Sequence, residues 1–335
     1  GVRFVQLPEE QVVDRHVRQD VALGPQLPPP GLRPQGLLLV HQPLGGIAQV
    51  GADRPQHHVQ THPGPVETVV VFDQSPVDHA IESNDRLRPV RAVPNERTPG
   101  LPGGRNTGAH MVSGDFLCWC DDDDVWRPEK LTIQLDRFAA DPWLDTVFSG
   151  ITVVHADGGR VVRVPPTREL TYEMLLGSRV MEAHISTAMC RTEAYVDRIG
   201  DVDEDIPGGY YEDYDWTLRA ARDRPIGIVR EPLVDIHWTG ASYFQDRFAT
   251  IDRATQYLVD KHPDFAADPR GHGRLLGQQA FYRAASGQRR AALEALRATL
   301  GANWREPRIV VTLAVLAGID ANRLLRHLNR RGRSV

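Results

Sequence analysis

Four consecutive aspartates, Asp121 to Asp124, follow the apolar run "FLCWC" and precede Val125, Trp126 and Pro128. Adjacent carboxylates repel one another unless a cation or hydrogen-bond donors lie close by. Two more acidic sites have a similar setting. Asp73 ends the β-branched run "VETVVVF", and the pair Glu212–Asp213 follows the glycine turn Gly208–Gly209. In open α/β sheets, ligands bind beyond the carboxyl ends of the strands. A hard divalent cation takes oxygen ligands, commonly one or two carboxylates plus substrate phosphates. The aspartate row therefore suits a place where a metal-bridged diphosphate neutralises the repulsion. Glu212–Asp213, after flexible glycines, puts a carboxylate where it can face a cleft. The same pair also suits a plain helix start, whose amides a carboxylate satisfies.

The elements that must position these groups are readable in outline. Residues 66–73 and 115–120 read as buried strands, with 66–73 central, and "LRPVRAVPNE" reads as a short strand. "GLLLV" at 36–40 is the one strand-like run in the first 65 residues, which carry ten of the 25 prolines. "RTPGLPGGRNTGAH" at 97–110 is turn-rich. A helix begins at Pro128, with Leu131, Leu135 and Phe138 at helical spacing. Residues 145–159 read as a strand and its turn, and 168–177 and 191–199 as helices. "YYEDYDWTLRAAR" reads as a helix with an acidic first turn, and "IGIVREPLVDIHW" as short strands. From about 243 onward the pattern is helical throughout. Strand–helix alternation followed by helices alone predicts an α/β domain with a helical C-terminal appendage. The expected divisions are 1–58, a Pro/Gly-rich, partly disordered or degraded first unit; 59–242, the α/β domain; and 243–335, the helical region.

Composition bounds the function. With 41% hydrophobic and 25% charged residues, the chain reads as soluble and globular, and a net charge of -5 gives no reason to expect a nucleic-acid partner. Cys118, Cys120 and Cys190 are too few for a disulfide framework and point to a reducing compartment. Cys118 and Cys120 alternate along one strand, so both face the same side as small core residues. No leader segment is visible, and no apolar run reaches the roughly 20 residues that span a bilayer. The expected location is cytoplasmic. "IVVTLAVLAGI" at 309–319, followed by Arg323, Arg326, Arg330, Arg331 and Arg333, suits either ordinary helix packing or peripheral contact at the inner face of a membrane.

The stretch "GGRNTGAHMVSGDFLCWCDDDDVWRPEKLTIQLDRFAADP" resembles the central part of family 2 glycosyltransferases, which have the GT-A fold, a Rossmann-like nucleotide-diphospho-sugar transferase architecture. The matching elements are Arg105-Asn106-Thr107-Gly108, Asp121–Asp123, Trp126, Pro128 and Lys130–Leu131. "VVVFDQS", "GGYYEDYDWTLR" and "EPLVDIHWTGAS" match further family segments in order, so the resemblance runs from about residue 60 to 242. It implies an inverting, metal-assisted transfer of a sugar from a nucleoside diphosphate sugar to a glycan, lipid-linked or other hydroxyl acceptor. Asp213 would be the catalytic base. Asp73, Arg105, Asp121 and Asp122 would contact the donor, and Asp123 with His237 would hold Mn²⁺ or Mg²⁺. Glu212 and Trp126 would meet the acceptor, although core packing also suits Trp126 and Trp216.

The N-terminus departs from the family pattern. "GLLLVHQP" stands where the first strand belongs, but "LGGIAQVGADRPQHH" makes a poor helix. That departure admits an alternative, a non-catalytic GT-A module that binds a nucleotide or a glycan. A second alternative is a haloacid-dehalogenase-like phosphatase, with Asp121 as nucleophile and "GDVDED" at 200–205 as its later acidic motif. His184 and Arg191 fall in the acceptor-side stretch without an assigned role. His57, His58 and His62 form a loop cluster unsuited to a metal.

Overall fold

The computed structural model describes residues 37–42, 60–238 and 247–329, with residues 37–42 and 326–329 described as backbone alone. All of these belong to one compact unit. The expected divisions after 58 and 242, and His57 and His58, lie outside the described residues.

Ten strands form one mixed sheet among the described residues. They are β1 (Leu37–Gln42), β2 (Val66–Phe72), β3 (Val90–Pro94), β4 (Phe116–Asp121), β5 (Val125–Trp126), β6 (Thr146–His155), β7 (Arg160–Arg163), β8 (Glu169–Leu170), β9 (Met189–Arg191) and β10 (Ile226–Trp238). The order is β3-β2-β1-β4-β9-β6-β10-β5, with β7 beside β6 and β8 beside β10. β1 pairs in parallel with both β2 and β4, and β3 continues that parallel half. Short β9 runs antiparallel to both β4 and β6, and β6 runs parallel to β10. The long strands therefore all point the same way, and their carboxyl ends share one edge. That shared edge is where the sequence places Asp73, Asp121 and His237.

Helices α1 (Leu101–Ala109), α2 (Lys130–Ala140), α3 (Tyr172–Gly177) and α5 (Glu212–Ala221) connect the strands. The single turn α4 (Thr192–Ala194) widens into a π-helical turn at Tyr195–Ile199. Beyond β10 come α6 (Phe248–Lys261), α7 (Pro269–Ala285), α8 (Arg289–Ala302), α9 (Arg308–Leu316) and α10 (Ala321–Asn329).

Three expectations are corrected. Residues 97–110 are not simply turns, because they contain α1. Tertiary packing overrides the poor helix propensity of its glycines: a Cβ at Gly103 would sit 1.9 Å from the Thr98 carbonyl oxygen, so the approach demands glycine. Residues 226–238 form one long strand, not several short ones, with register shifts around Pro232 that absorb the proline. β2 is not central; it lies second from the edge, with β1 inside it.

The helical region that follows the α/β domain is present, and it shares the main core with the sheet. Val69, Leu117, Trp119 and Trp216 share one buried cluster with Ile251, Ala254, Leu258, Phe265 and Leu275 of the C-terminal helices. Trp119 and Trp216 meet edge to face, 4.9 Å between ring centroids. Cys118 and Cys120 both lie in a second cluster across the sheet, with Phe116, Trp126, Leu131 and Phe138. α6 and α7 thus complete the α/β core.

Candidate active site

The aspartate row resolves into four different environments. The Asp124 N–H bonds the Asp121 carbonyl at 3.1 Å, closing a turn at the end of β4. Asp124 points inward, buried, with the Ser186 hydroxyl 2.5 Å from its Oδ2. Burial, and after it the Asp121 charge, pushes its carboxyl well above the usual range. Asp121 goes the other way. Burial alone would raise it, but Arg105 and His184 outweigh burial and hold it below its ordinary value. Asp123 is the most exposed of the four and is raised by burial and by Asp121 and Asp122. One buried acid that favours its neutral form and one arginine answer most of the repulsion.

That arginine is the hub of the site. Arg105, on α1, donates from Nη2 to Asp121 Oδ1 at 2.7 Å and from Nη1 to Glu212 Oε1 at 2.6 Å. It is almost wholly buried and ties the end of β4 to the start of α5. Its own pKa is raised, because these two carboxylates outweigh the burial that would lower it. Glu212 is pushed up to about 7 by burial and by the neighbouring Asp213, with Arg105 opposing.

Asp213 opens toward the cleft, its side chain 19% exposed. Its Oδ2 accepts from Arg179 Nη2 at 2.6 Å, and its Oδ1 accepts from the Tyr214 N–H at 2.7 Å. Burial would raise its carboxyl, but Arg179, then Arg105 and His184, hold it low. Asp213 is therefore a carboxylate, ready to accept a proton.

Backbone geometry aims that group. Gly208, Gly209 and Tyr211 have φ of 67°, 66° and 70°. A Cβ at Gly208 would meet Thr250 Cγ2 at 2.8 Å. Tyr211 is a bulky side chain in the left-handed region, a conformation that costs on the order of 1–3 kcal/mol and collects at functional sites. Burial of its ring and a 3.3 Å hydrogen bond from the Thr255 hydroxyl hold it there. Glu212 and Asp213 follow directly.

Asp123 and His237 lie side by side, in contact through the Asp123 backbone. His237 Nδ1 lies 2.7 Å from the Asp123 carbonyl oxygen. A carbonyl can only accept, so Nδ1 carries the proton and Nε2 keeps a lone pair, the arrangement of a metal-ligating imidazole. Asp121, Asp124 and His184 form a second cluster whose ligand atoms lie within 4.8 Å of one another. His184 Nδ1, however, already accepts from the Ser186 N–H at 3.3 Å. Asp123 and His237 touch only through the Asp123 backbone carbonyl.

The other expected residues divide. Asp73 caps α1: it accepts from the Gly100 N–H at 2.9 Å, from Asn95 at 2.8 Å and from Gln74 at 3.1 Å. A nucleotide there would share a carboxylate already engaged. Asn106 fastens the 200–205 loop through Val202 and Glu204. Asp122 lies at the strand end and is partly exposed. The expectation that Trp126 meets an acceptor is corrected by its burial. Its indole donates to the Ser186 carbonyl at 2.9 Å, and Lys130 Nζ sits 3.8 Å from the ring centroid. Arg191 lies over Phe116 and Phe138, away from the cleft. The phosphatase alternative also falls, since Asp201, Asp203 and Glu204 bond Arg97, Lys261 and Asn106 instead of facing Asp121. Arg179 and Ser186 were missed, and no local motif marks either one.

The profile of glycosyl transferase family 2 matches residues 56–196. The glycosyltransferase YwdF of Bacillus subtilis is 28% identical over 205 residues, 59% of this chain and 72% of that protein. The crystal structure of S. aureus TarS superposes with a TM-score of 0.52 at 17% identity, covering 86% of this chain and 54% of that one. Residues 1–349 of TarS give 0.51 at 17% identity, covering 89% of this chain and 92% of that one. This chain spans about half of the longer TarS structure, and the likeness is one of fold.

Proposed function

We propose that this chain, a glycosyltransferase of the GT-A fold whose residues 56–196 match glycosyl transferase family 2, moves a sugar, with inversion, from a nucleoside diphosphate sugar to an acceptor hydroxyl. The observation that carries this reading is the charge relay across the strand ends. Asp121, Arg105 and Glu212 form one continuous ion-pair chain, and Asp213 stands at its cleft end.

Direct displacement needs one base opposite the leaving group. Asp213 takes the acceptor hydroxyl proton as the oxygen attacks the anomeric carbon, and the bond to the diphosphate breaks with its electron pair leaving on phosphate oxygen. Asp123 and His237 would hold Mn²⁺ or Mg²⁺, which when bound offsets the charge of the departing diphosphate as a Lewis acid. Arg105 would fix the relation between donor end and base end, and Glu212, held by Arg105, would meet the acceptor hydroxyl. The acceptor is a glycan, a lipid-linked sugar or another hydroxyl compound.

Turnover of a panel of nucleotide sugars, with calorimetry on the same nucleotides, tests the reading. Tight nucleotide binding without hydrolysis or transfer of any donor would favour a non-catalytic module. The metal assignment has its own test. Asp123→Ala should weaken metal-dependent nucleotide binding at least tenfold, or about 1.4 kcal/mol. Equal affinity with and without EDTA in the native chain would overturn it.

Arg179 gives a pH prediction. The groups around Asp213 are Arg179, Arg105, His184 and Glu212. Removing the nearest cation lets the Asp213 pKa rise, so the base protonates earlier as pH falls. Arg179→Gln should therefore move the acid limb of the kcat/KM profile to higher pH. An acid limb left in place would show that Arg179 does not set the ionisation of the base.

A further inference from the structure

The outer face of α8 carries Arg290, Leu293, Arg297 and Leu300, with Trp304 just past its end. Steps of three and four place the four helical residues on one side of the helix; Trp304 follows the extended C-cap Asn303. The opposite side, Ala292, Ala295, Leu296 and Thr299, is buried. Leu293 is 45% exposed, Leu300 46% and Trp304 69%. α9 packs against α8 and turns Val310 and Leu313 outward, 71% and 49% exposed. An exposed stripe in which apolar and cationic side chains alternate has no counterpart in the cleft machinery.

Its charge says what would cover it. Residues 286–329 hold seven arginines against Glu294, Glu306 and Asp320, within a chain whose net charge is -5. Glu306 is buried against Arg308 and Glu294 pairs with Arg290 at 3.2 Å, so the net positive charge of α8 and the turn after it rests on Arg289, Arg297 and Arg305. The Arg305 guanidinium lies 4.8 Å from the Trp304 ring centroid, an indole and a cation presented together. Trp beside Arg, with leucines behind, is the composition of a surface that enters the headgroup layer of a bilayer. Among the described residues no helix is long and apolar enough to cross a membrane, so such a contact lies on the surface. Arg330, Arg331 and Arg333 continue the basic run in sequence.

We propose that the α8–α9 face docks the protein on an anionic lipid bilayer. Apolar insertion comes from Leu293, Leu300, Trp304 and Val310, and attraction to lipid phosphate comes from Arg289, Arg297 and Arg305. The contact is separate from the cleft and does not depend on which sugar is moved.

Co-sedimentation of the full chain with vesicles tests this, comparing pure phosphatidylcholine with equal parts phosphatidylcholine and phosphatidylglycerol. Binding should require phosphatidylglycerol and fall as salt is raised. The variant Arg290→Glu/Arg297→Glu should lose at least tenfold in apparent affinity, and Leu300→Ser/Trp304→Ser should lose a comparable factor. Both pairs are exposed, so nucleotide binding in solution should stay at the native level and confirm that the variants are folded. Equal binding to both vesicle types, no binding to either, or native-like binding by both variants would overturn the proposal. So would a concentration-dependent dimer that either variant abolishes, since the face would then belong to a second copy of the chain.

Discussion

Asp213→Asn should bind nucleotide and metal nearly as the native chain does while losing sugar transfer by roughly 10²–10⁴-fold. The substitution keeps size and most hydrogen bonding. An Asn oxygen can still accept from the Tyr214 N–H or from Arg179, so the start of α5 should hold. What is lost is the ability to take a proton. The native carboxylate is held below its ordinary pKa, since Arg179 and its other cationic neighbours outweigh burial. It is therefore charged throughout the neutral range, and native activity should persist as pH falls until Asp213 itself protonates. Steady-state transfer beside calorimetric donor affinity, for both proteins, is the measurement. Near-native transfer would remove Asp213 as the base and leave Glu212 as the next candidate. Asp215 is not one. It is fully buried and already holds His262 at 2.8 Å, Lys261 at 2.9 Å and Arg219 at 2.9 Å.

The ends of strands were the legible part of this molecule. Apolar runs stopped by a carboxylate at Asp73 and Asp121 announce buried parallel strands, because a charge follows such a run where the sheet meets solvent. The acidic helix start at Glu212–Asp213 was legible for the same kind of reason, a glycine turn before a periodic segment. α1 was not, since its glycines read as turn residues, while Gly103 is placed for a close approach to Thr98 and six of its other residues are buried in the fold. Arg179 lies 34 residues from Asp213, and nothing in "GSRVMEAH" hints at the pairing. Trp126 misled because an aromatic beside an acidic motif looks like a sugar platform, while burial depends on Lys130 and Ser186 closing over it. The C-terminal helices were legible as a change in element type, while the core they share with the sheet was not. Ile251, Leu258 and Phe265 look like any helical apolar stripe, yet they fill the space beneath Trp216 and Leu117.

Arg105→Met should destabilise the fold by about 3–5 kcal/mol near pH 8, the typical cost of breaking a buried ion pair by removing one partner. The methionine fills much of the same volume but leaves Asp121 and Glu212 facing each other across the gap without a cation. Both carboxyls should then rise in pKa, Glu212 from a value already pushed up to about 7. The pH dependence follows in sign. A carboxyl whose folded pKa lies above its unfolded value costs stability as pH rises past the unfolded value, with the full cost reached above the folded one. The variant should therefore be weakest relative to the native chain at high pH and should regain part of the difference as pH falls toward 5. In the native protein, Asp121 runs the other way. Its lowered pKa contributes stability that is present above the unfolded value and is lost only in strong acid. Urea unfolding of both proteins at pH 5.5 and pH 8 measures the effect. Adding Asp121→Asn and Glu212→Gln to Arg105→Met should restore most of the lost stability, because no charge is then left unpaired. It should not restore transfer, because a neutral trio no longer fixes the donor end of the cleft relative to Asp213. A native unfolding midpoint for Arg105→Met at pH 8 would show that the relay contributes nothing to the fold. The coupling between donor end and base end would then have to come from the backbone of α5 and its strained turn at Tyr211.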